Sequence, residues 1–418
     1  MGRKIILLLL VFFLGGILMN CGNSNQPDNG IFIDFQEKLE TIDDYIDRQT
    51  EADKFIKKIK NSQYPIFEDD TTVVLLYQGE NEKMGILGDM SQWSEIIPME
   101  KVSGTNLFYK RLNLESDARM EYCFSEAIGG SIIIDSLTPY LVLNGLWPSS
   151  ELAMPKYTRH PYFEECQYGK KGNFNLVKEY ETPSGILPYP HKIYIYTPPD
   201  YEENKNYPVV CFQDGMCYIE FALMPLVIEK MIRAGEIEPI VAVFVTPPNR
   251  HKPGTPNRST EYGLNEDYVN FFADELIPFV SERYSISTDP KSHMVLGDSY
   301  GGLISVAIPF LRSDVFGIGY GQSGYHSLMK DKLIKMILKS EKKDIRLWID
   351  TGTYERNVGA SFLPKDETDF LLANRRMRDA LKQKNYDFVY REYHEGHTWG
   401  NWRRHVIDAL KYYFGKSK

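Results

Sequence analysis

Cysteine is scarce in this chain of 418 residues: there are five, and Cys21 follows an N-terminal apolar run. Cys123, Cys166, Cys211 and Cys217 remain, and their spacing fits neither a disulfide framework nor a zinc pattern. Cys211 lies in an apolar run and reads as a buried small residue. Nowhere do His, Cys and carboxylate residues cluster at metal-ligand spacing, so neither a metal nor another cofactor is expected. A dense basic tract is missing, and the net charge is −9. Bulk electrostatics therefore give no pull toward nucleic acid, and no such partner is expected. No internal repeat is evident, which sets aside solenoids and propellers.

What is present is ample core material. The hydrophobic share is 43%, which argues against disorder, and the length suits two or three domains. Arg3 and Lys4 precede an apolar stretch from Ile5 to Leu18, the layout of an export signal. Leu18-Met19-Asn20-Cys21 resembles a bacterial lipobox, although Asn20 stands where Gly or Ala is usual. The expectation is a signal peptide over 1–20, a lipid on Cys21, and an exported protein held at a membrane by that lipid. An uncleaved anchor or a plain signal peptide would also export the chain.

Residues 21–63 read as a tether followed by a helical segment. Phe35, Leu39, Ile42, Ile46, Phe55, Ile56 and Ile59 recur there at mostly helical spacing. From 64 to 145 the pattern changes to short strand-like runs such as Thr72–Tyr77, Leu107–Leu112 and Met120–Phe124, separated by Gly, Asn, Asp and Ser. That argues a small all-β sandwich. Trp93, after Gly88-Asp89-Met90, reads better as a rim residue fixing its loop than as a sugar platform. Residues 146–171 read as a linker rich in Pro, Ser and Tyr. From 172 to 418 apolar strands alternate with helices, which means a mostly parallel sheet covered on both faces. One long helix is expected over Glu266–Tyr284, behind an Asn265 cap.

The most informative stretch is Ser292 to Leu303. His293–Leu296 is an apolar run, Gly297-Asp298-Ser299-Tyr300-Gly301 fits G-x-S-x-G, and Leu303–Ile308 reads as a buried helix. Strand, sharp turn and helix in that order present a serine hydroxyl at the apex of a strained turn. Eight strand candidates, with this serine after the fifth, make the α/β-hydrolase plan. Its triad runs Ser, then Asp or Glu, then His. A serine hydroxyl needs a base within reach, and the base needs an acid to fix its tautomer. His397 lies between the last strand and the last helix, where this plan delivers its base; His394 is the runner-up. Glu355, beyond Gly352, is the preferred acid over Asp350, which ends the strand Ile345–Ile349. The N–H groups of Tyr300 and Met216 are the expected oxyanion donors, with Gly215 allowing close backbone approach. Trp399, Trp402, Arg250, Arg258 and Arg403 are candidates to line a pocket for an aromatic or anionic substrate, and packing explains each equally well. All these positions lie beyond 172, so the sandwich is expected to supply stability or substrate presentation.

Phe212-Gln213-Asp214-Gly215, Gly297–Leu303, Gly321-Gln322-Ser323-Gly324 and Gly396-His397-Thr398-Trp399-Gly400-Asn401-Trp402-Arg403 together resemble the esterase D family. Within it they are most similar to the enterochelin (ferric enterobactin) esterases. The 64–145 region resembles, more loosely, the immunoglobulin-like E-set domains that precede many such catalytic domains. The resemblance implies metal-free hydrolysis of an ester or lactone, with Ser299, His397 and Glu355 as the triad. It leaves the substrate open between a siderophore ester and feruloyl or acetyl esters of carbohydrates, and it leaves open acyl transfer by the same triad. A ligand-binding lipoprotein on an inactive hydrolase fold is the rival from outside enzymology. The presence of every triad residue type argues against it.

Overall fold

The structure, a computed structural model, describes residues 30–60, 64–143, 148–164, 171–248, 257–359 and 361–416. Cys21, Cys166 and Arg250 lie outside them. Two helices come first, α1 (Ile31–Glu40) and α2 (Tyr45–Ile59). The Asp44 carboxylate caps α2 by accepting from the N–H groups of Ile46 and Asp47. Phe32, Phe35 and Leu39 of α1 share a core with Ala52, Phe55 and Ile59 of α2. Ile46, expected on that stripe, is 72% exposed. It sits in the first turn of α2, rotated away from the Ala52–Phe55–Ile59 row.

Nine strands follow: β1 (Ile66–Phe67), β2 (Thr72–Gln78), β3 (Gly85–Gly88), β4 (Ile97–Pro98), β5 (Glu100–Lys101), β6 (Leu107–Asn113), β7 (Arg119–Ser125), β8 (Leu141–Leu143) and β9 (Pro148–Ala153). They form two sheets, ordered β1-β2-β6-β5 and β4-β3-β7-β9-β8. Strand β2 shows how the layers are built. Val73 and Leu75 enter the core between the sheets, while Val74 and Leu76 face α1 and α2. That is the two-residue period of a strand buried on both faces. One boundary needs correction. The residues 148–153, read as linker, are strand β9, which pairs antiparallel with β7 from Arg119↔Ala153 to Tyr122↔Ser150. Its Ser149, Ser150 and Glu151 are polar yet buried, and this is why the stretch does not look like a strand.

After a short helix α3 (Pro161–Glu164), the chain forms one eight-stranded sheet. Its members are β10 (Val177–Thr182), β11 (His191–Tyr196), β12 (Val209–Phe212), β13 (Val241–Thr246), β14 (His293–Asp298), β15 (Ile318–Gln322), β16 (Arg346–Gly352) and β17 (Asp387–Tyr393), in the order β10-β11-β13-β12-β14-β15-β16-β17. Pairing is antiparallel for β10–β11 and β11–β13, and parallel from there on. Helices α4 (Gly215–Glu220), α5 (Met224–Arg233), α6 (Arg258–Tyr262), α7 (Glu266–Asn270), α8 (Ile277–Ser281), α9 (Tyr300–Leu311), α10 (Leu328–Lys339), α11 (Phe370–Gln383) and α12 (Trp399–Phe414) connect the strands. They cover the sheet with two apolar cores, one on each face. This is the expected α/β-hydrolase arrangement, with β14 fifth in sequence.

The long helix expected over 266–284 has the predicted buried face but not regular winding. Between α7 and α8 lies a π-helical turn, Phe271–Leu276, closed by Ile277 N–H reaching back to Phe272 O. Pro278 has no N–H to give a regular bond at the next position. Among the described residues no helix is long and apolar enough to cross a membrane.

Candidate active site

Strand β14 carries the apolar run through Gly297 and Asp298, and the turn at its end places Ser299 at φ 57°, ψ −117°. A non-glycine residue in that region is strained. The surroundings hold it there: Ser299 N–H donates to Gln322 O, and Ser299 O accepts from Leu303 and Tyr325 N–H. Close packing demands the flanking glycines. A Cβ on Gly297 would lie 2.8 Å from the backbone of Gly301, and one on Gly302 would lie 2.7 Å from Gln322 O.

The three residues expected to form the triad come together in one hydrogen-bonded chain. His397 Nε2 lies 3.0 Å from Ser299 Oγ, and His397 Nδ1 lies 2.8 Å from Glu355 Oε2. The network assigns the tautomer: Nδ1–H donates to the carboxylate, and Nε2 accepts from the hydroxyl. Glu355 is itself fixed, since its Oε1 accepts from Ser323 Oγ at 2.5 Å and from Gly352 N–H at 2.7 Å. The histidine ring stands perpendicular to the rings of Phe370 and Trp402, at centroid separations of 5.0 and 4.8 Å. Asp350 goes elsewhere. Its carboxylate accepts from Tyr320 Oη, and burial pushes its pKa up to about 7. His394 also points away, with Nδ1 on Asp117 of the sandwich at 2.7 Å.

Met216 and Gly215 open α4, and Asp214 precedes them at φ 50°. A Cβ on Gly215 would sit 2.4 Å from the backbone of Phe244 in β13, which explains the glycine. Tyr300 opens α9. The loop and the elbow are tied together by Arg258. Its Nε donates to Asp214 Oδ1 and Oδ2, both at 2.7 Å, and its Nη2 donates to Asp298 O at 3.0 Å. Burial works against this guanidinium, but the Asp214 and Asp298 carboxylates outweigh it and raise its pKa.

Of the two readings of Arg258, this pairing favours packing over an anionic substrate, since its charge already faces two carboxylates. Both tryptophans are buried and packed against neighbouring side chains. Trp399 is buried against Tyr218, Phe221 and Trp402. Trp402 donates its Nε1–H to Ser323 Oγ at 2.9 Å, and so reaches Glu355 through one hydroxyl. Arg403 is buried with its guanidinium over the Phe163 ring. Trp93 donates to Asp89 Oδ1 at 2.8 Å, which fits the rim reading. Sequence reasoning missed Ser323, Gly352 and Phe370 as neighbours of the site. The Gly-Gln-Ser-Gly motif at 321–324 was the one available signal for Ser323.

The profile of the Esterase family matches residues 184–413. The chain belongs to the Esterase family. It is similar to the iron(III) enterobactin esterase of Dickeya dadantii, 25% identical over 232 residues that cover 53% of this chain and 51% of the relative. It is also similar to the protein YjcH of Bacillus subtilis, 24% identical over 221 residues, 52% of this chain and 88% of that one. Among solved structures, the ferric enterobactin esterase of Salmonella typhimurium superposes with a TM-score of 0.67 at 17% identity. The overlap covers 82% of this chain and 93% of that one. The enterobactin esterase of Shigella flexneri, solved in the presence of enterobactin, gives 0.66 at 19%, over 82% and 92%. At such identities these structures speak for the fold, an α/β-hydrolase type. Membership of the Esterase family supports a hydrolase acting on esters.

Proposed function

We propose that this Esterase family member is a serine esterase that cleaves a carboxylic ester or lactone through an acyl-enzyme on Ser299. The observation that carries the reading is the unbroken hydrogen-bonded chain Ser299–His397–Glu355, with the serine on a strained elbow. In the first step His397 Nε2 takes the hydroxyl proton while Ser299 Oγ bonds to the ester carbonyl carbon. Glu355 holds the imidazole in the accepting tautomer and stabilises the imidazolium. The N–H groups of Tyr300 and Met216 receive the carbonyl oxygen as it becomes an oxyanion. Collapse breaks the bond to the leaving alcohol, which takes the proton from His397. Water then gives a proton to the same nitrogen as its oxygen bonds to the acyl carbon; the bond to Ser299 Oγ breaks, His397 returns the proton to that oxygen, and the acid leaves.

The enterobactin esterase names among the relatives favour a catecholate trilactone over other esters as the natural substrate class. A panel of aryl esters of increasing acyl chain length and a catecholate trilactone, assayed on purified protein, tests this. Turnover of the trilactone with release of the linear catecholate serine ester is expected. Rapid aryl ester turnover with a trilactone rate no faster than buffer alone would leave the esterase and remove the siderophore.

We also propose that the protein is exported and lipid-anchored through Cys21. The charged n-region, the apolar run and the Leu18–Cys21 order support this. Stable anchoring takes more than one acyl chain. Cells fed a radioactive fatty acid should label the wild-type protein and not Cys21→Ser; equal label in both rejects the anchor.

A further inference from the structure

The loop that carries His397 is not supported by the hydrolase domain alone. Its near side is a short stretch of the sandwich around Arg119, the first residue of β7. Arg119 N–H donates to His394 O at 3.0 Å, and residues 119 and 395 form an isolated parallel bridge. The Arg119 side chain is 1% exposed. Its Nε and Nη2 donate to Glu151 at 3.0 and 2.6 Å, and its Nη1 donates to Glu121 Oε1 and to Asn401 Oδ1, both at 2.9 Å. Asn401 in turn donates its Nδ2–H to Gly396 O at 2.8 Å. One continuous chain therefore runs from a sandwich guanidinium to the carbonyl next to His397. Glu121 Oε1 also accepts from Gly400 N–H at 3.2 Å.

Both flanks of the histidine are in steric contact with sandwich side chains. A Cβ on Gly396 would fall 2.1 Å from Asp89 Oδ1, and a Cβ on Gly400 would fall 2.1 Å from Arg119 Nη2. Asp89 cannot easily yield, because it accepts from Glu121 N–H at 2.7 Å and from Trp93 Nε1–H at 2.8 Å. Burying Arg119, Glu121 and Glu151 is expensive, and removing one partner would leave the others as uncompensated buried charges. What they hold here is the path of the backbone from Gly396 to Asn401.

We infer that Arg119, Asp89 and Asn401 are positioning residues for His397, so that the N-terminal sandwich is a working part of the esterase site. The inference rests on the proposed role of His397 as base to Ser299. The sandwich acts without touching the ester: it sets the distance and angle between Nε2 and the serine hydroxyl, where an error near 1 Å costs about 100-fold.

The test uses the full-length chain and a small aryl acetate, too short to need binding contacts with the sandwich. Asn401→Ala breaks the link without disturbing a charge. Arg119→Lys keeps the charge, but its single ammonium cannot span Glu151, Glu121 and Asn401 together. Each variant is expected to lower kcat about 10- to 100-fold with KM changed less than about twofold. The rate at which a fluorophosphonate labels Ser299 should fall in parallel. The double variant should be little slower than the worse single one, because both cut one chain. Circular dichroism and a thermal scan report the folded fraction. Wild-type kcat and labelling in a folded Asn401→Ala overturn the inference, whether or not Arg119→Lys folds. A kcat loss that only tracks the unfolded fraction overturns it as well. Ser299→Ala is the separate control. If it turns over normally, the serine reading has failed; if it is inert while Asn401→Ala is normal, only the positioning role has failed.

Discussion

Ser299→Ala is expected to lower kcat on an aryl acetate by roughly 10⁴- to 10⁶-fold, and His397→Ala by a similar factor. The double variant should be barely slower than either. The reason is in the geometry. Ser299 Oγ and His397 Nε2 share one proton across 3.0 Å. Removing the hydroxyl leaves the base nothing to deprotonate, and removing the base leaves a hydroxyl with too little nucleophilicity at neutral pH. The two losses are therefore the same loss. What survives is the contribution of the oxyanion donors and of substrate positioning, which neither variant touches. Neither change should much affect folding, since both side chains are replaced by a smaller one at a partly open site. Pre-steady-state kinetics add a second readout: a burst of aryl alcohol equal to the enzyme concentration is expected when deacylation is slow, and it should vanish in Ser299→Ala. Full activity in Ser299→Ala would end the serine mechanism outright.

Much of this site could be read from the chain, for local reasons. An apolar strand ending in Gly297, a serine two residues on and a buried helix after it is a pattern of about a dozen consecutive residues, and each carries its own physical meaning. The strand-helix alternation beyond 172 is equally local. Glu355 and His397 were picked out by their order along the fold and by the loops after β16 and β17, and the structure brings both beside Ser299. What the chain hides is contact over long separation. Arg119 and Asn401 are 282 residues apart, and nothing in either neighbourhood announces the other. Residue type alone also misleads where polar groups are buried. Ser149, Ser150 and Glu151 concealed β9, and nothing local showed that Asp214 and Asp298 lie against Arg258. The same blind spot hid what the sandwich touches. Its charged interface with the 394–401 loop appears only when the two ends of the sequence are brought together.

The two carboxylates after β16 separate cleanly in one experiment. Glu355→Gln should lower kcat by roughly 10³- to 10⁴-fold. Glu355 Oε1 accepts from Ser323 and Gly352, so the glutamine oxygen has a reason to stay there. Its NH₂ group then faces His397 Nδ1 and, as a donor, favours the tautomer with the proton on Nε2. That tautomer cannot accept from Ser299. Asp350→Asn should keep kcat near wild type, because Asp350 bonds Tyr320 and does not reach His397. Its effect belongs to stability. Burial raises the folded-state pKa of Asp350 from the ordinary carboxylate range to about 7. The unfolded chain then loses this proton first, so the unfolded state binds fewer protons between roughly pH 4 and 7, and wild-type stability declines across that window. Asparagine does not titrate. The urea midpoint of Asp350→Asn, measured against wild type at pH 5 and again at pH 8, should therefore shift in the variant's favour at the higher pH. A crippled Asp350→Asn beside a near-normal Glu355→Gln would move the orienting role to Asp350 and require the His397 loop to swing toward the end of β16, against the hold of Arg119 and Asn401 on its backbone.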